Sequence, residues 1–134
     1  MGLIYADVQL TNVRDAELAP IVVRALVDSG ALHLCIPETV ALQLNLEELE
    51  RRQVTTASGA SMSVPYVGPV KVSMGNRSCF TGAMVLGNQT LLGAIPMEDM
   101  DLVVHPATQK VAPNPASPNI PASVAMGVRH SRRK

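Results

Sequence analysis

The hexapeptide at residues 26–31 decides the fold: Leu26-Val27-Asp28-Ser29-Gly30-Ala31. The apolar run 21–27 leads into it and predicts a largely buried β-strand, with Arg24 as its one charge. Asp28, Ser29 and Gly30 are turn-forming residue types, and a glycine also allows a second backbone to come close. The pattern therefore predicts a carboxylate on a tight turn at the end of a buried strand.

Working outward from this turn, the sequence predicts many short strands, one hairpin and two short helices. Strands are predicted at 2–10, 21–27, 53–57, 62–67, 70–74, 79–86 and 102–105, and helices at 37–44 and 95–100. The loop 58–61 joins two of these strands into a hairpin, while the charged stretch 47–53 fits either a helix or a strand. This order predicts a mainly β fold, a small closed or partly closed β-barrel with one or two short helices.

Size and composition indicate one domain with an aliphatic core. The chain has 134 residues, of which 47% are hydrophobic and only 2% aromatic. Its 11 basic and 11 acidic residues balance, which argues against a nucleic-acid partner. We expect the domain to span residues 1–113. The remainder, 114–134, is rich in Pro, Ala and Ser, ends in a basic cluster, and is expected to be a disordered tail.

The sequence gives no sign of a membrane, a cofactor or a metal. No apolar run is long enough to span a bilayer, and no signal peptide is visible, so we expect a cytoplasmic protein without membrane contact. Cys35 and Cys79 are too few for a disulfide framework and are interpreted as reduced, buried thiols. His33 with Cys35 forms a single close pair, which is too little for a zinc site.

Three features in chain order resemble the retropepsin-like aspartic proteases, a single-domain family that includes retroviral proteases and bacterial relatives. The first is the hexapeptide 26–31, and the second is the hairpin whose tip lies near Ser58-Gly59-Ala60, in the place of the family's flap. The third is Leu91-Leu92-Gly93 followed by a short helix and a strand, which is similar to the family element that packs beneath the catalytic loop. The resemblance favours the bacterial type.

The resemblance implies a homodimeric endopeptidase that acts on peptides or proteins without a cofactor. The chain has one Asp-Ser-Gly motif and about half the length of a two-lobed enzyme, so each subunit would supply one catalytic Asp28. Ser29 would bond across the dimer, and Gly30 would donate its N–H to the carboxylate, with Ala31 completing the loop. The residues implied in substrate binding are Leu32, His33, Ala57, Ser58, Gly59 and Ala60.

Two departures from retroviral members shape the expected activity. Ala31 has no hydroxyl to stabilise an ionised carboxylate pair, so we expect a mildly acidic pH optimum. Leu32 and His33 stand where retroviral members carry acidic residues, so contacts to the substrate backbone must differ. By the resemblance, the apolar chain segments 2–6 and 102–106 would join the dimer.

Two other interpretations remain open at this point. The same fold can serve as a non-catalytic peptide-binding or dimerisation module. Alternatively, the motif match is accidental, and the chain is an unrelated small barrel in which Asp28 only caps a turn. Asp99 and Asp101 are interpreted as surface or capping groups, because neither is followed by the Ser/Thr-Gly of the motif.

Overall fold

Short strands dominate the part of the chain that the structure describes, residues 3–123 of a computed structural model. The strands are β1 Tyr5–Asn12, β2 Ile21–Val27, β3 Leu34–Ile36, β4 Glu47–Thr55, β5 Ser61–Met74, β6 Arg77–Val85, β7 Leu91–Leu92, β8 Leu102–His105 and β9 Lys110–Pro113. The two short helices are α1 Glu38–Gln43 and α2 Ala94–Asp99.

Six of the strands close into a barrel. The main sheet has the order β1-β2-β7-β3-β6-β5-β4, and β1 pairs again with β5, which closes the circle and leaves β4 outside it. The closing register runs antiparallel from Gln9 opposite Ser73 to Asn12 opposite Val70. The expected fold class, a small mainly β barrel with two short helices, is confirmed.

The barrel is filled by aliphatic side chains, as the scarcity of aromatic residues requires. In β1 every second residue is buried, the period-2 pattern of a strand with one face on the core. The fully buried aliphatic residues with the largest side chains are Val8, Leu10, Leu34, Ile36, Leu44, Val70, Val72, Leu92 and Met100. A second, smaller apolar cluster lies beside this core and includes Cys35, Val64 and Met84.

Several elements differ from the expectation. The stretch 47–53 is a strand, the first part of β4, and its first five residues are all exposed. The strands expected at 62–67 and 70–74 are one strand, β5, which passes through a cis Gly68-Pro69 bond. A register shift between Val67 and Val70 accommodates that proline in the pairing with β6. Strands β3, β7 and β9 were not expected, and β2, expected to be largely buried, has only Ala25 buried.

The C-terminal part of the described chain folds as a small separate sheet. Strands β8 and β9 pair antiparallel with each other. Residues 114–123, expected as the start of a disordered tail, form neither helix nor strand but hydrogen-bond to Asp101 through Asn114, Ser117 and Ala122. The domain boundary at 113 stays a prediction, and the rest of the expected tail, 124–134, lies outside the described residues, as do residues 1 and 2.

Candidate active site

Asp28 follows the last residue of β2 and is exposed. Its backbone N–H donates to the carbonyl of Leu92 (3.1 Å), and its carbonyl accepts from the N–H of Ala31 (3.1 Å). The carboxylate oxygen Oδ1 accepts a 2.9 Å hydrogen bond from the Gly30 amide. The turn therefore presents one carboxylate outward in a fixed orientation, with one oxygen already bound by the backbone.

Strand pairing next to Asp28 supports the turn. Val27 lies beside Leu92 in a parallel pair, and Leu92 lies opposite Leu34 in an antiparallel pair. Two further backbone bonds continue this contact, from Ala94 N–H to the Ala31 carbonyl (2.8 Å) and from Ile95 N–H to the Leu32 carbonyl (2.9 Å). The segment 91–95 thus lies directly against the loop that carries the carboxylate.

Gly93 makes this close approach possible. A Cβ at position 93 would lie 2.5 Å from the carbonyl oxygen and 2.7 Å from the backbone nitrogen of His33. Real side chains do not tolerate such distances to backbone atoms, so residue 93 has to be glycine. The element Leu91-Leu92-Gly93 therefore packs against the Asp28 loop, and residue 93 must be glycine because of this contact.

The strands β4 and β5 form a hairpin whose tip lies at residues 56–60, and β4 lies outside the closed barrel. At its tip the Thr56 N–H donates to the Ala60 carbonyl (2.8 Å), and the Gly59 N–H donates to the Thr56 carbonyl (2.9 Å). Gly59 has φ 87, a left-handed conformation that favours glycine. Residues 57–60 are all exposed. Their hydrogen bonds lie within the tip, and none joins them to the Asp28 loop within residues 3–123.

Below its tip the hairpin is anchored to the strands that flank Asp28. Val54, Val64 and Tyr66 of the hairpin pack in the smaller apolar cluster with Cys35, Met84 and Leu91. Leu91 itself pairs with Leu26, the second residue before Asp28. The part of the hairpin just below its tip and the strands next to Asp28 therefore pack in the same apolar cluster.

Tyr66 and Gly82 form a contact that sequence reasoning missed. A Cβ at Gly82 would lie 2.3 Å from Cζ of the Tyr66 ring, so the ring occupies the space that any other residue at 82 would need. The Arg52 guanidinium lies 3.9 Å from the centre of the same ring, and its Nε bonds to Glu50 at 2.6 Å. The bond to Glu50 raises the pKa of Arg52. No sequence pattern signals this stack.

Leu32 and His33 follow the Asp28 turn in the chain, and their backbone contacts the segment 93–95. Leu32 is 60% exposed, and Ile95, whose N–H bonds to the Leu32 carbonyl, is 47% exposed. Two exposed apolar side chains therefore lie on the loop after Asp28 and on the segment that supports it. Ile95 was not expected in the site, although it lies two residues after Gly93.

Two clefts among residues 3–123 lie away from Asp28. One of about 410 Å³ lies beside the Arg14–Glu47 ion pair, and one of about 530 Å³ lies beside Asp101. Residues 3–123 contain no group of three or more His, Cys, Asp or Glu placed to hold a metal ion. Neither helix of that part is long and apolar enough to cross a membrane.

The closed barrel, the turn that carries Asp28 and the β4–β5 hairpin fit the fold expected of a retropepsin-like aspartyl protease. The sequence model of the family described as "gag-polyprotein putative aspartyl protease" matches residues 15–95. This match covers more than half of the chain, which therefore belongs to that family. The resemblance to retropepsin-like proteases is confirmed, while the bacterial type stays a prediction.

The fold is also similar to that of a solved viral protease. The match is to the solution structure of Simian Foamy Virus (mac) protease, with 16% sequence identity and a TM-score of 0.45. The similarity covers 69% of this chain and 91% of the viral chain. Among curated proteins, no match was found.

Proposed function

We propose that the protein is a homodimeric aspartic endopeptidase in which the catalytic pair is made of Asp28 from each of two subunits. The observation that carries this proposal is the exposed Asp28 carboxylate, whose Oδ1 is held by the Gly30 amide at 2.9 Å. A single barrel of this family presents one such carboxylate, and the reaction requires two.

The chemistry explains the need for a pair. Two carboxylates a few ångströms apart cannot both ionise, so they share one proton, and they titrate as a unit. The ionised member acts as general base on a water molecule held between them. The protonated member donates its proton to the scissile carbonyl oxygen as the tetrahedral intermediate forms. The Gly30 amide supports this chemistry by orienting Oδ1.

The shape of the single chain supports a site completed by a partner. Asp28 and Ser29 are exposed on the surface of the single chain, so we expect one subunit to supply one wall of a substrate channel. A second copy placed against this wall would bring its own Asp28 opposite the first. The Ser29 hydroxyl is then free to bond to the partner's loop.

The hairpin tip at residues 57–60 would close over the bound peptide and exclude water. Its exposed backbone groups are available to pair with an extended substrate. The exposed Leu32 and Ile95, on the loop after Asp28 and on the segment bonded to it, favour apolar substrate side chains. His33 borders the same channel. No cofactor enters this mechanism, and the expected cytoplasmic location is not needed for it.

The test compares the wild-type protein with Asp28→Asn on a diverse peptide library at pH 4 to 7. Asn has nearly the same shape as Asp but cannot act as a base, so we expect cleavage to be lost. Asp99→Asn is the matched control, a carboxylate removed from the short helix α2, and should retain cleavage. Cleavage by Asp28→Asn at the wild-type rate would overturn the proposal.

Mixing tests the shared site directly. If each dimer needs two Asp28 residues, adding Asp28→Asn protein to a fixed amount of wild type should lower the activity, because mixed dimers are inactive. Peptide binding without cleavage by the wild type at any protein concentration would instead favour the non-catalytic binding module.

A further inference from the structure

Arg52 lies on the side of the β4–β5 hairpin that packs against the barrel. Residues two apart in a strand point to the same side, so Arg52 shares its side with Glu50 and Val54. In the register of the hairpin, Tyr66 lies directly opposite Glu50 and so faces the same way. Val54 and Tyr66 pack in the smaller apolar cluster with residues of β3, β6 and β7. Arg52 therefore stands among the residues that attach the hairpin to the barrel.

Two neighbours fix the Arg52 guanidinium on this side. Its Nε bonds to the Glu50 carboxylate at 2.6 Å, and its central carbon lies 3.9 Å from the centre of the Tyr66 ring. A cation at this distance is attracted by the negative face of the ring. The same ring fills the space beside Gly82 of β6, where a Cβ would lie 2.3 Å from its Cζ. The ring thus contacts both the barrel and the guanidinium.

The contact stands at the point where the regular ladder of the hairpin begins. From Glu50 opposite Tyr66 the pairing of β4 with β5 is continuous up to the tip, whereas the register shifts between Glu48 and Glu50. A strand bends locally where its register shifts. A hairpin that opens as a whole would therefore bend at this shift, and it would have to lift the Tyr66 ring away from Gly82.

Arg51, the next residue along β4, offers a matched comparison on the opposite side. Its Nε donates to the Ser63 hydroxyl (2.9 Å), its Nη2 donates to the Ser63 carbonyl (3.1 Å), and it pairs with Glu48 at 3.5 Å. Within residues 3–123 these side-chain bonds all stay inside the hairpin. The two adjacent arginines therefore carry similar ion pairs, but Arg52 is the one that contacts the ring resting on the barrel.

We infer that Arg52 is a positioning residue, which holds the hairpin against the barrel through the ring of Tyr66. This inference rests on the proposed function, in which the tip at residues 57–60 closes over a bound peptide. With the ring held, the tip moves while the lower part of the hairpin stays in place. Without the guanidinium, the ring turns away more readily and the whole hairpin opens at the register shift. Arg52 thus determines how tightly the peptide is bound, and the chemistry at Asp28 does not depend on it.

Alkylation of Cys35 in the full chain tests whether Arg52 keeps the hairpin closed. Cys35 is buried and packs with Val54 and Val64 of the hairpin, so it becomes accessible when the hairpin opens. Arg52→Met keeps an unbranched side chain and removes the cation. Loss of a half-exposed cation–ring contact should speed iodoacetamide alkylation of Cys35 roughly three- to fivefold. Arg51→Met, the same change on the other side, should leave the rate at the wild-type value.

Kinetics separate positioning of the hairpin from a general loss of stability. Arg52→Met should raise KM by roughly the same three- to fivefold and leave kcat near the wild-type value, because the bond from Gly30 to Asp28 (2.9 Å) does not involve the hairpin. A variant that merely unfolds part of the protein would lower the apparent kcat and leave KM unchanged. Arg51→Met should change neither constant.

Removing the ring tests the route by which Arg52 acts. In a Tyr66→Leu background the hairpin has already lost the ring contact, so adding Arg52→Met should not speed alkylation of Cys35 any further. If the two substitutions instead multiply each other's effect, Arg52 acts independently of the ring and the inference is wrong.

The outcomes also separate this inference from the proposed function. Equal alkylation of Cys35 in Arg52→Met and Arg51→Met would overturn the role of Arg52 even where the wild type shows Asp28-dependent cleavage. Acceleration at Cys79 of the main core together with Cys35 would overturn it too, since both thiols then report global unfolding. Acceleration at Cys35 alone, in a protein that cleaves no peptide, would support the role of Arg52 in the hairpin and count against the protease.

Discussion

Gly93 and His33 approach so closely that a Cβ on Gly93 would lie 2.5 Å from the His33 carbonyl oxygen. The φ angle of Gly93 is −84, which any residue can adopt, so the backbone conformation itself does not require glycine. The requirement comes only from the contact between the segment 91–95 and the loop that carries Asp28. This contact holds the Asp28 loop in position against the segment 91–95.

We expect Gly93→Ala to lower the free energy of unfolding by about 3 kcal/mol, because neither backbone can move away without breaking the bonds around Asp28. Urea unfolding measures this. Gly87→Ala is the control for conformational strain: Gly87 has φ 77 and open space around it, so alanine there should cost only about 1 kcal/mol. Equal costs at 87 and 93 would show that the contact with His33 relaxes freely.

The sequence predicts both segments that meet at this contact. The turn at Asp28 and the Leu-Leu-Gly element are visible because the buried strand, the turn residues and the glycine each leave a local pattern. The bounds of β2 and β8 match the expectation, since Ile21–Val27 and Leu102–His105 are mostly apolar and are followed by Asp28 and Pro106.

The elements that the sequence does not predict lack a clear local pattern, although β3 and β9 both contribute buried residues to the core. Most of β4 is exposed on both faces, so its charges show no alternation and a helix was equally consistent with them. Strand β5 contains Pro65 and Pro69, which normally interrupt a strand. Strand β9 ends in Pro113, which is unfavourable in a strand, and it forms by pairing with β8 across the turn at residues 106–109.

The stack of Tyr66 on Gly82 predicts a coupling between the barrel and the hairpin. Gly82→Ala should displace the Tyr66 ring, destabilise the protein by about 2 kcal/mol and speed amide hydrogen exchange at residues 56–60. In a Tyr66→Ala background the same substitution meets no ring and should cost little. A double-mutant cycle on unfolding free energies measures the coupling, and additive costs within about 0.4 kcal/mol would refute it.

Asp101 predicts a pH dependence confined to the segment 114–122. The Ser117 hydroxyl, then the Ala122 amide and the Asn114 side chain, hydrogen-bond to the Asp101 carboxylate and lower its pKa. A lowered pKa in the folded state means that the stabilisation is present above the unfolded value of about 3.9 and is lost as the pH falls through the folded value. The segment should therefore loosen in acid.

Asp101→Asn tests this at neutral pH. The variant should release the segment at pH 6, seen as faster exchange of the Ala122 amide, while the barrel amides keep their protection. Asp7→Asn, at an exposed position of β1, is the control and should leave the segment unchanged. Slow exchange at Ala122 in the Asp101 variant would show that Asn114 and the other contacts hold the segment without the charge.

The alkylation rates of the two cysteines can report whether the hairpin opens. Burial, and secondarily the charge of Asp99, raises the pKa of Cys79 to about 12, and burial also raises the pKa of Cys35. The thiolate is the reactive form, so at pH 8 Cys79 should alkylate on the order of a thousandfold more slowly than in the unfolded chain. Mass spectrometry after iodoacetamide treatment, with and without guanidinium, gives both rates.

Cys35 and Cys79 should then respond differently to the hairpin. Cys35 packs against Val54 and Val64 of β4 and β5, whereas Cys79 belongs to the main core. Opening of the hairpin exposes Cys35 and leaves Cys79 buried, so Gly82→Ala, which loosens the Tyr66 anchor, should speed alkylation of Cys35 alone. If both thiols accelerate together, the variant acts through global unfolding, and the hairpin does not move as a separate unit.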